Sequence, residues 1–353
     1  MVTLKDAGQT PGILVGCAVD AARLRDMPDY AALVRSQANI IVGDNAFKFG
    51  TLRPTIQAFD FRDADTVADF AHSNGMKLRG HTLVWHKQMP AWFDQHVTAA
   101  NAAAVLTSHI AAVCDRYAGQ IHSWDVVNEA VEVNDGRPDS LRNTPWLQLL
   151  GPGYIDTAFQ SARKADPRAL LFYNEYGLEG EDAGSAAKRA AVLGLLHDLL
   201  KRGVPVDGVG IQSHIMAGHT YGPGLREFIQ SAHQMGLRVM LTELDVNDRE
   251  LALTTSYRDS AVATTYDRYL RAALADGYVS GVITWGITDR LTWLDKDKDA
   301  ARTDGAAQRP LPFDAQFSPK PAFVAQRRAL KQAPAVVPVL KRRTQLLVET
   351  AKA

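Results

Sequence analysis

Short runs of apolar and β-branched residues alternate along the chain with longer stretches in which apolar positions recur every three or four residues. The short runs are "ILVGCAVD" to Asp20, "NIIVGD" to Asp44, "KLRGHTLVW" to Trp85 and "SWDVVNE" to Glu129. They continue with "LLFYNEY" to Tyr176, "GVGIQSH" to His214, "RVMLTELD" to Asp245 and "GVITWGITD" to Asp289, which makes eight. The stretches between them read as helices, among them "DADTVADFAHSNG" from Asp63, "AAAVLTSHIAAVCDRY" from Ala102 and "YIDTAFQSARKA" from Tyr154. "AAKRAAVLGLLHDLLKRG" from Ala186 places Lys201 and Arg202 in its last turn and Gly203 just beyond, and "SYRDSAVATTYDRYLRAALADG" from Ser256 also stops at a glycine. Nearly continuous apolar strands joined through helices imply a parallel sheet covered on both faces. Eight such units predict an α/β protein, a single-domain (β/α)8 barrel of the TIM type. A doubly wound open sheet has the same local pattern, but it usually carries a phosphate loop after its first strand, and "AVDAARL" offers none. The barrel is assigned to residues 1–332. Residues 333–353, with two prolines and the basic cluster Lys341-Arg342-Arg343, are expected to form an appended helix or tail.

Composition narrows the partners. Hydrophobic residues make up 46% of the 353 and charged residues 22%, an ordinary globular balance. Lys+Arg and Asp+Glu both number 39, so there is no bulk charge to attract nucleic acid or an anionic membrane. No apolar run approaches the ~18 residues of a membrane span. "MVTLKDAGQTPG" lacks the apolar core of a signal peptide, so the expectation is a secreted or periplasmic protein whose leader has been removed, with an intracellular one as the alternative. Cys17 and Cys114 lie in no metal-like spacing and are expected to be two buried thiols, a mutual disulfide remaining open.

The polar residues are distributed unevenly. Asp44-Asn45, His81, Trp85-His86, Asn128-Glu129, Asn174-Glu175-Tyr176, Gln212, His214, Glu243, Asp245, Trp285 and Asp289 all fall at C-terminal strand ends. The opposite ends read as plain turns such as "RKADPRA" and "KRGVPVDG". In a barrel the C-terminal ends converge on one face, where active sites are built. Glu129 and Glu243 end the fourth and seventh runs, on opposite sides of that mouth, and two facing carboxylates are what glycoside cleavage requires. Their proton affinities must differ, so that one donates a proton while the other is ionised. Trp85, Trp92, Trp285 and Trp293 gather near the same ends, four of the six tryptophans, and indole faces suit the flat C–H faces of sugars. Other chemistries fit less well. There is no HExxH and no GxSxG, and "GVGIQS" ends a strand instead of opening a helix. "DKDKD" from Asp295 lacks the glycine and the terminal acid of a calcium loop.

Taken together, "RGHTLVWHKQMPAW", "WDVVNEAVE", "GVGIQSHI", "LTELDV", "GVITWGITD" and "LPFDAQFSPKPAF" resemble the family 10 glycoside hydrolases, chiefly endo-β-1,4-xylanases, over roughly residues 14–323. The resemblance implies a (β/α)8 barrel and retaining double displacement on xylan or a related plant-type β-glycan, with Glu129 as general acid/base and Glu243 as nucleophile. Partial burial and the charge of Glu243 are expected to keep Glu129 protonated until the glycosyl-enzyme forms. His214 and Asp245 are matched to nucleophile support, and Asn128 to a contact with the sugar 2-hydroxyl. Asp44, Asn45, Lys48, His81, Trp85, Gln88, Gln212 and His214 are matched to substrate binding, with Trp285 and Trp293 as aromatic walls and Tyr176 near the catalytic pair. No cofactor and no metal are expected, and the expected partner of what is taken to be a monomer is a polysaccharide or oligosaccharide, without nucleic acid or membrane.

The chain departs from that pattern at several positions. "DNAFKF" has Asp44 for a glutamate and Phe49 for a tryptophan, "NEYG" has Gly177 for an asparagine, and Met216 follows "QSHI" where an asparagine is common. The changes are expected to lie at the rim of the site, away from the catalytic pair. They leave open the same chemistry on another β-glycan, an exopolysaccharide or a small glycoside. A non-catalytic carbohydrate-binding barrel is the third possibility.

Overall fold

The computed structural model describes residues 2–251 and 254–339. Its strands are β1 (Leu14–Val19), β2 (Ile40–Gly43), β3 (Lys77–Val84), β4 (Ile121–Asn128), β5 (Leu170–Glu175), β6 (Gly208–Ile211), β7 (His214–Met216), β8 (Arg238–Asn247) and β9 (Val279–Thr284). Round the sheet they run β6-β5-β4-β3-β2-β1-β9-β8, every pair parallel, and pairing of β6 with β8 closes the ring of eight. Helices fill the connections, as expected of continuous apolar strands that must be covered on both faces. Most of the apolar core lies between strands and helices, while a smaller cluster of Ala18, Ile40, Val42, Phe172, Met240, Ile283 and Trp285 fills the barrel interior.

The ninth strand is a departure from the expected eight. The run "GVGIQSH" stops pairing at Ile211, Ser213 turns through φ 69°, and His214–Met216 restarts as a separate strand against β8 alone. β8 is ten residues long, six longer than β6, so its last residues need another partner; β7 supplies it, with His214 opposite Asp245. The break is bridged by Glu243 N donating to Gln212 O at 2.8 Å and Asp245 N to Ser213 O at 3.3 Å. Glu243 therefore lies within β8, where the ladder is interrupted, and not at its end.

The interior also holds a buried ion pair. Arg79 on β3 donates to Asp125 and, at 2.9 Å, to Ser123 on β4, and its guanidinium lies 4.6 Å over Phe172. Gly80 beside it is required by packing, because a Cβ there would come within 2.0 Å of the Trp124 indole.

A helix, Leu4–Gln9, precedes β1 and packs on the last helix, Pro321–Gln332. Beyond that helix the chain crosses the N-terminal rim of the barrel, with Val336 N donating to Pro11 O at 2.7 Å and Val337 N to Gly277 O at 2.8 Å. The Lys341-Arg342-Arg343 cluster lies outside the described residues. Cys17 and Cys114 are both free and buried, and burial pushes the Cys17 thiol up to about 12. No helix among the described residues is long and apolar enough to cross a membrane.

Candidate active site

A cleft of about 580 Å³ opens at the C-terminal ends of the strands. Glu129 and Glu243 both line it, with Asn128, Tyr176, Gln212 and His214. Asp44, Asn45, Lys48, His81, Trp85 and Gln88 form one end, and Trp285 and Trp293 a wall. Asp245 lies directly beneath His214.

Glu243 has both oxygens occupied. Oε1 accepts Asn174 Nδ2 at 2.7 Å and faces His81 Nδ1 at 3.9 Å, while Oε2 accepts His214 Nε2 at 3.2 Å. Burial alone would raise its proton affinity, but the attraction of His81 and the His214 hydrogen bond and charge outweigh it and hold Glu243 down to about 2. His214 is caught between two carboxylates: its Nδ1 donates to Asp245 Oδ1 at 2.9 Å, and Asp245 Oδ2 accepts the Trp293 indole at 2.7 Å. Burial works against its charge, but Asp245 and Glu243 together lift it well above the ordinary imidazole range. His81 is fixed from below by Asp125 at 3.0 Å, and Asp125 by Arg79.

Glu129 is held differently. It follows β4 with φ 58°, in the left-handed region that a non-glycine residue adopts only when its surroundings impose it. Its N–H donates to Asn174 O at 2.9 Å and its carbonyl accepts Arg142 Nε at 2.8 Å. On the side chain, Oε1 accepts Gln212 Nε2 at 3.0 Å and Asn128 Nδ2 at 3.3 Å, both neutral amides. Oε2 is buried with no hydrogen-bond partner among the described residues. His86 Nδ1 faces it at 4.0 Å, but burial pushes that imidazole down to about 4, so at neutral pH His86 is uncharged.

A relay of amides joins the two carboxylates. Asn174 Nδ2 donates to Glu243 Oε1 and also, at 2.9 Å, to Asn128 Oδ1, which Gln212 Nε2 approaches at 3.3 Å. Thr242 Oγ1 fixes the other end of Asn174 at 2.7 Å. At the far end of the cleft Lys48 donates to Asn45 Oδ1 at 3.1 Å and lies 5.2 and 5.7 Å over the Trp85 and Trp285 rings. Burial lowers the proton affinity of Lys48 and raises that of Asp44.

Several expectations are corrected. Trp92 is not a cleft residue: its indole donates to Arg53 O at 2.8 Å and packs against Phe49, in a core of Phe93, His109 and Trp146. Phe49 belongs to that core as well, so the change there alters packing, not the rim. Met216 bonds Tyr221 through its backbone and does not line the cleft; Asp44 and Gly177 do. Asp289 turns away to pair with Lys320 at 2.8 Å. The sequence reading missed Asn174 as a site residue, although its place at a strand end was visible, and it missed the Arg79–Asp125 pair, which reads as ordinary strand. Lys87, Leu291, Lys296 and Asp297 also line the cleft, and they come from loops with no periodic signal. Among the described residues no group of three His, Cys, Asp or Glu side chains is arranged to hold a metal ion.

A family model described as "Glycosyl hydrolase family 10" matches residues 3–329. The chain is 35% identical over 328 residues to endo-1,4-beta-xylanase A of Thermoanaerobacterium saccharolyticum, spanning 88% of this chain but only 26% of that longer protein. It is 37% identical over 323 residues to the thermostable celloxylanase of Thermoclostridium stercorarium, covering 84% of this chain and 80% of that one. Among solved structures, native xylanase 10B of Thermotoga maritima superposes with a TM-score of 0.84 at 31% identity, over 94% of this chain and 98% of its own.

Proposed function

The chain belongs to glycosyl hydrolase family 10, and from that membership we propose that it hydrolyses the β-1,4-linked backbone of xylan with retention of configuration, Glu129 acting as general acid/base and Glu243 as nucleophile. The observation that carries the reading is the unequal setting of the two carboxylates. Glu243 is surrounded by donors that hold it ionised, and Glu129 keeps one buried oxygen without a hydrogen-bond partner among the described residues. A Glu243 oxygen bonds to the anomeric carbon as the bond to the leaving sugar breaks, and Glu129 gives its proton to the departing oxygen. Water then attacks the anomeric carbon and surrenders a proton to Glu129, and Glu243 leaves as a carboxylate. Asn128, held by Asn174 and Gln212, is assigned the contact with the 2-hydroxyl of the reacting sugar. Trp85, Trp285 and Trp293 provide the apolar faces, and Asn45, Lys48 and Gln88 the polar contacts at the glycone end.

The test is product analysis from xylan. Wild type releases short xylo-oligosaccharides whose first-formed anomer is β, and neither Glu129→Ala nor Glu243→Ala releases them at a comparable rate. Near-normal turnover by either variant, or α products, overturns the assignment. A second reading, in which hexose-configured β-glycans are also cleaved, is supported by a hollow of about 30 Å³ bordered by Asp44, Trp285, Leu291 and Trp293, all four shared with the cleft. It exceeds the ~10–15 Å³ that one water needs and would accept a hydroxymethyl group. Aryl cellobioside turnover against aryl xylobioside decides between the two. A polymer too large to enter a cell favours work outside the cytoplasm, by a single chain in which one cleft holds every proposed role.

A further inference from the structure

We propose that Glu175 is a positioning residue that fixes the geometry of proton donation by Glu129; this rests on reading Glu129 as the acid/base. Glu175 ends β5, is completely buried, and does not line the cleft. Its carboxylate collects four donors from four directions. Oε2 accepts Val131 N at 3.1 Å and the Tyr173 hydroxyl. Oε1 accepts Lys188 Nζ at 3.1 Å and Tyr176 N at 3.2 Å.

The consequence falls on the backbone beyond β4. Three successive N–H groups there are all held by β5: Glu129 N by Asn174 O, Ala130 N by the Tyr173 hydroxyl at 3.1 Å, and Val131 N by Glu175. Arg142 closes the other side, accepted by Glu129 O at 2.8 Å through Nε, while its own N–H donates to Ala130 O at 2.7 Å. This clamp explains how Glu129 persists at φ 58°. A left-handed non-glycine residue costs of order 1–3 kcal/mol and survives only where neighbours over-determine it. Only a carboxylate serves at position 175. A glutamine has one acceptor oxygen, so if that faces Lys188 and Tyr176 N, its NH₂ meets the Val131 N–H and pushes that strand end away. Glu129 then loses its aim, although nothing that touches substrate has changed.

A substrate pair with different needs for acid separates this role from general support of the fold. Cleavage of xylan requires protonation of a poor leaving group; release of dinitrophenolate from dinitrophenyl β-xylobioside does not. Glu175→Gln is expected to lower kcat/KM on xylan by at least about tenfold and to leave kcat/KM on the aryl glycoside within about twofold. On that glycoside kcat and KM fall together, because water attack still needs Glu129 as base. Glu175→Asp, which keeps two acceptor oxygens on a side chain one methylene shorter, retains more of the xylan activity than Glu175→Gln does. Since the glutamine leaves Lys188 buried without its counter-charge, Glu175→Gln/Lys188→Met is measured alongside it and gives the same split. Equal losses on both substrates in a variant that melts like wild type, or no loss on either, overturns the proposal. Glu129→Ala on the same pair tells the failures apart. If it too loses both substrates equally, the acid/base reading is wrong; if it spares the aryl glycoside while Glu175→Gln does not, only the positioning role falls.

Discussion

Glu129 and Glu243 are almost equally buried, 6% and 5% exposed, yet their surroundings differ sharply, as the opposite tasks proposed for them require. Around Glu243 an amide and one imidazole donate to separate oxygens, and a second imidazole, that of His81, stands 3.9 Å away. Around Glu129 the donors are neutral amides on one oxygen only, and the nearest imidazole is uncharged at neutral pH. Burial is nearly the same for the two and does not distinguish them. The charge and number of neighbours do, and they are supplied by different elements: His81 on β3, Asn174 on β5 and His214 on β7 face Glu243, while Asn128 on β4 and Gln212 in the turn after β6 face Glu129.

The largest test of that contrast removes each carboxylate. Glu243→Ala and Glu129→Ala should each cost ~10³-fold or more in the rate of reducing-sugar release from xylan. They should differ on an activated aryl glycoside, where Glu129→Ala alone keeps formation of the glycosyl-enzyme, visible as a burst of phenolate. No burst from that variant would break the division of labour.

The next effect sharpens the charge argument. His214→Ala removes the hydrogen bond and the positive charge at Oε2, leaving burial less opposed. The proton affinity of Glu243 rises from about 2, and since the ionised form is the nucleophile, the acid limb of kcat/KM moves to higher pH. The expected shift is at least about one unit, with a loss of about 10- to 100-fold at neutral pH. A pH–rate profile with an unmoved acid limb would sink the claim that His214 keeps Glu243 ionised.

His109 shows what burial does to an imidazole without a hydrogen-bond partner among the described residues. It is buried among Phe49 and Phe59, and burial pushes it down to about 3 from an ordinary 6.5. Between those values the unfolded chain takes a proton that the folded chain refuses. The stability from keeping His109 neutral is thus complete above pH 6.5 and is lost as pH falls towards 3. His109→Phe should melt closer to wild type, or above it, at pH 4 than at pH 7.5. A gap between the two melting temperatures that does not change with pH would refute this.

The smallest expected change is in selectivity. Asp44→Glu adds a methylene beside the 30 Å³ hollow and should lower turnover of an aryl cellobioside relative to an aryl xylobioside by a few-fold to about tenfold. An unchanged ratio would separate the hollow from sugar choice.

Much of this was legible in the chain. The eight apolar runs, their helical spacers and the collection of polar residues at C-terminal strand ends pointed to the barrel and to the face where Glu129 and Glu243 line one cleft, because period and burial are properties of consecutive residues. Trp92 and Phe49 were misjudged for the same reason: an aromatic near a strand end reads alike whether it faces a cleft or a helix. Asn174, the Arg79–Asp125 pair and Glu175 were underrated because their meaning lies in partners such as Glu243, Asp125 and Val131, 44 to 69 residues away. The sequence by itself determined where the strands run, which of their ends gather polar side chains and that two carboxylates stand among them. Only the tertiary structure decided which donors reach each carboxylate, since hydrogen bonds and charges act over a few ångströms of space. The break between β6 and β7, the left-handed turn at Glu129 and closure of the ring by β6 and β8 bring those donors within reach.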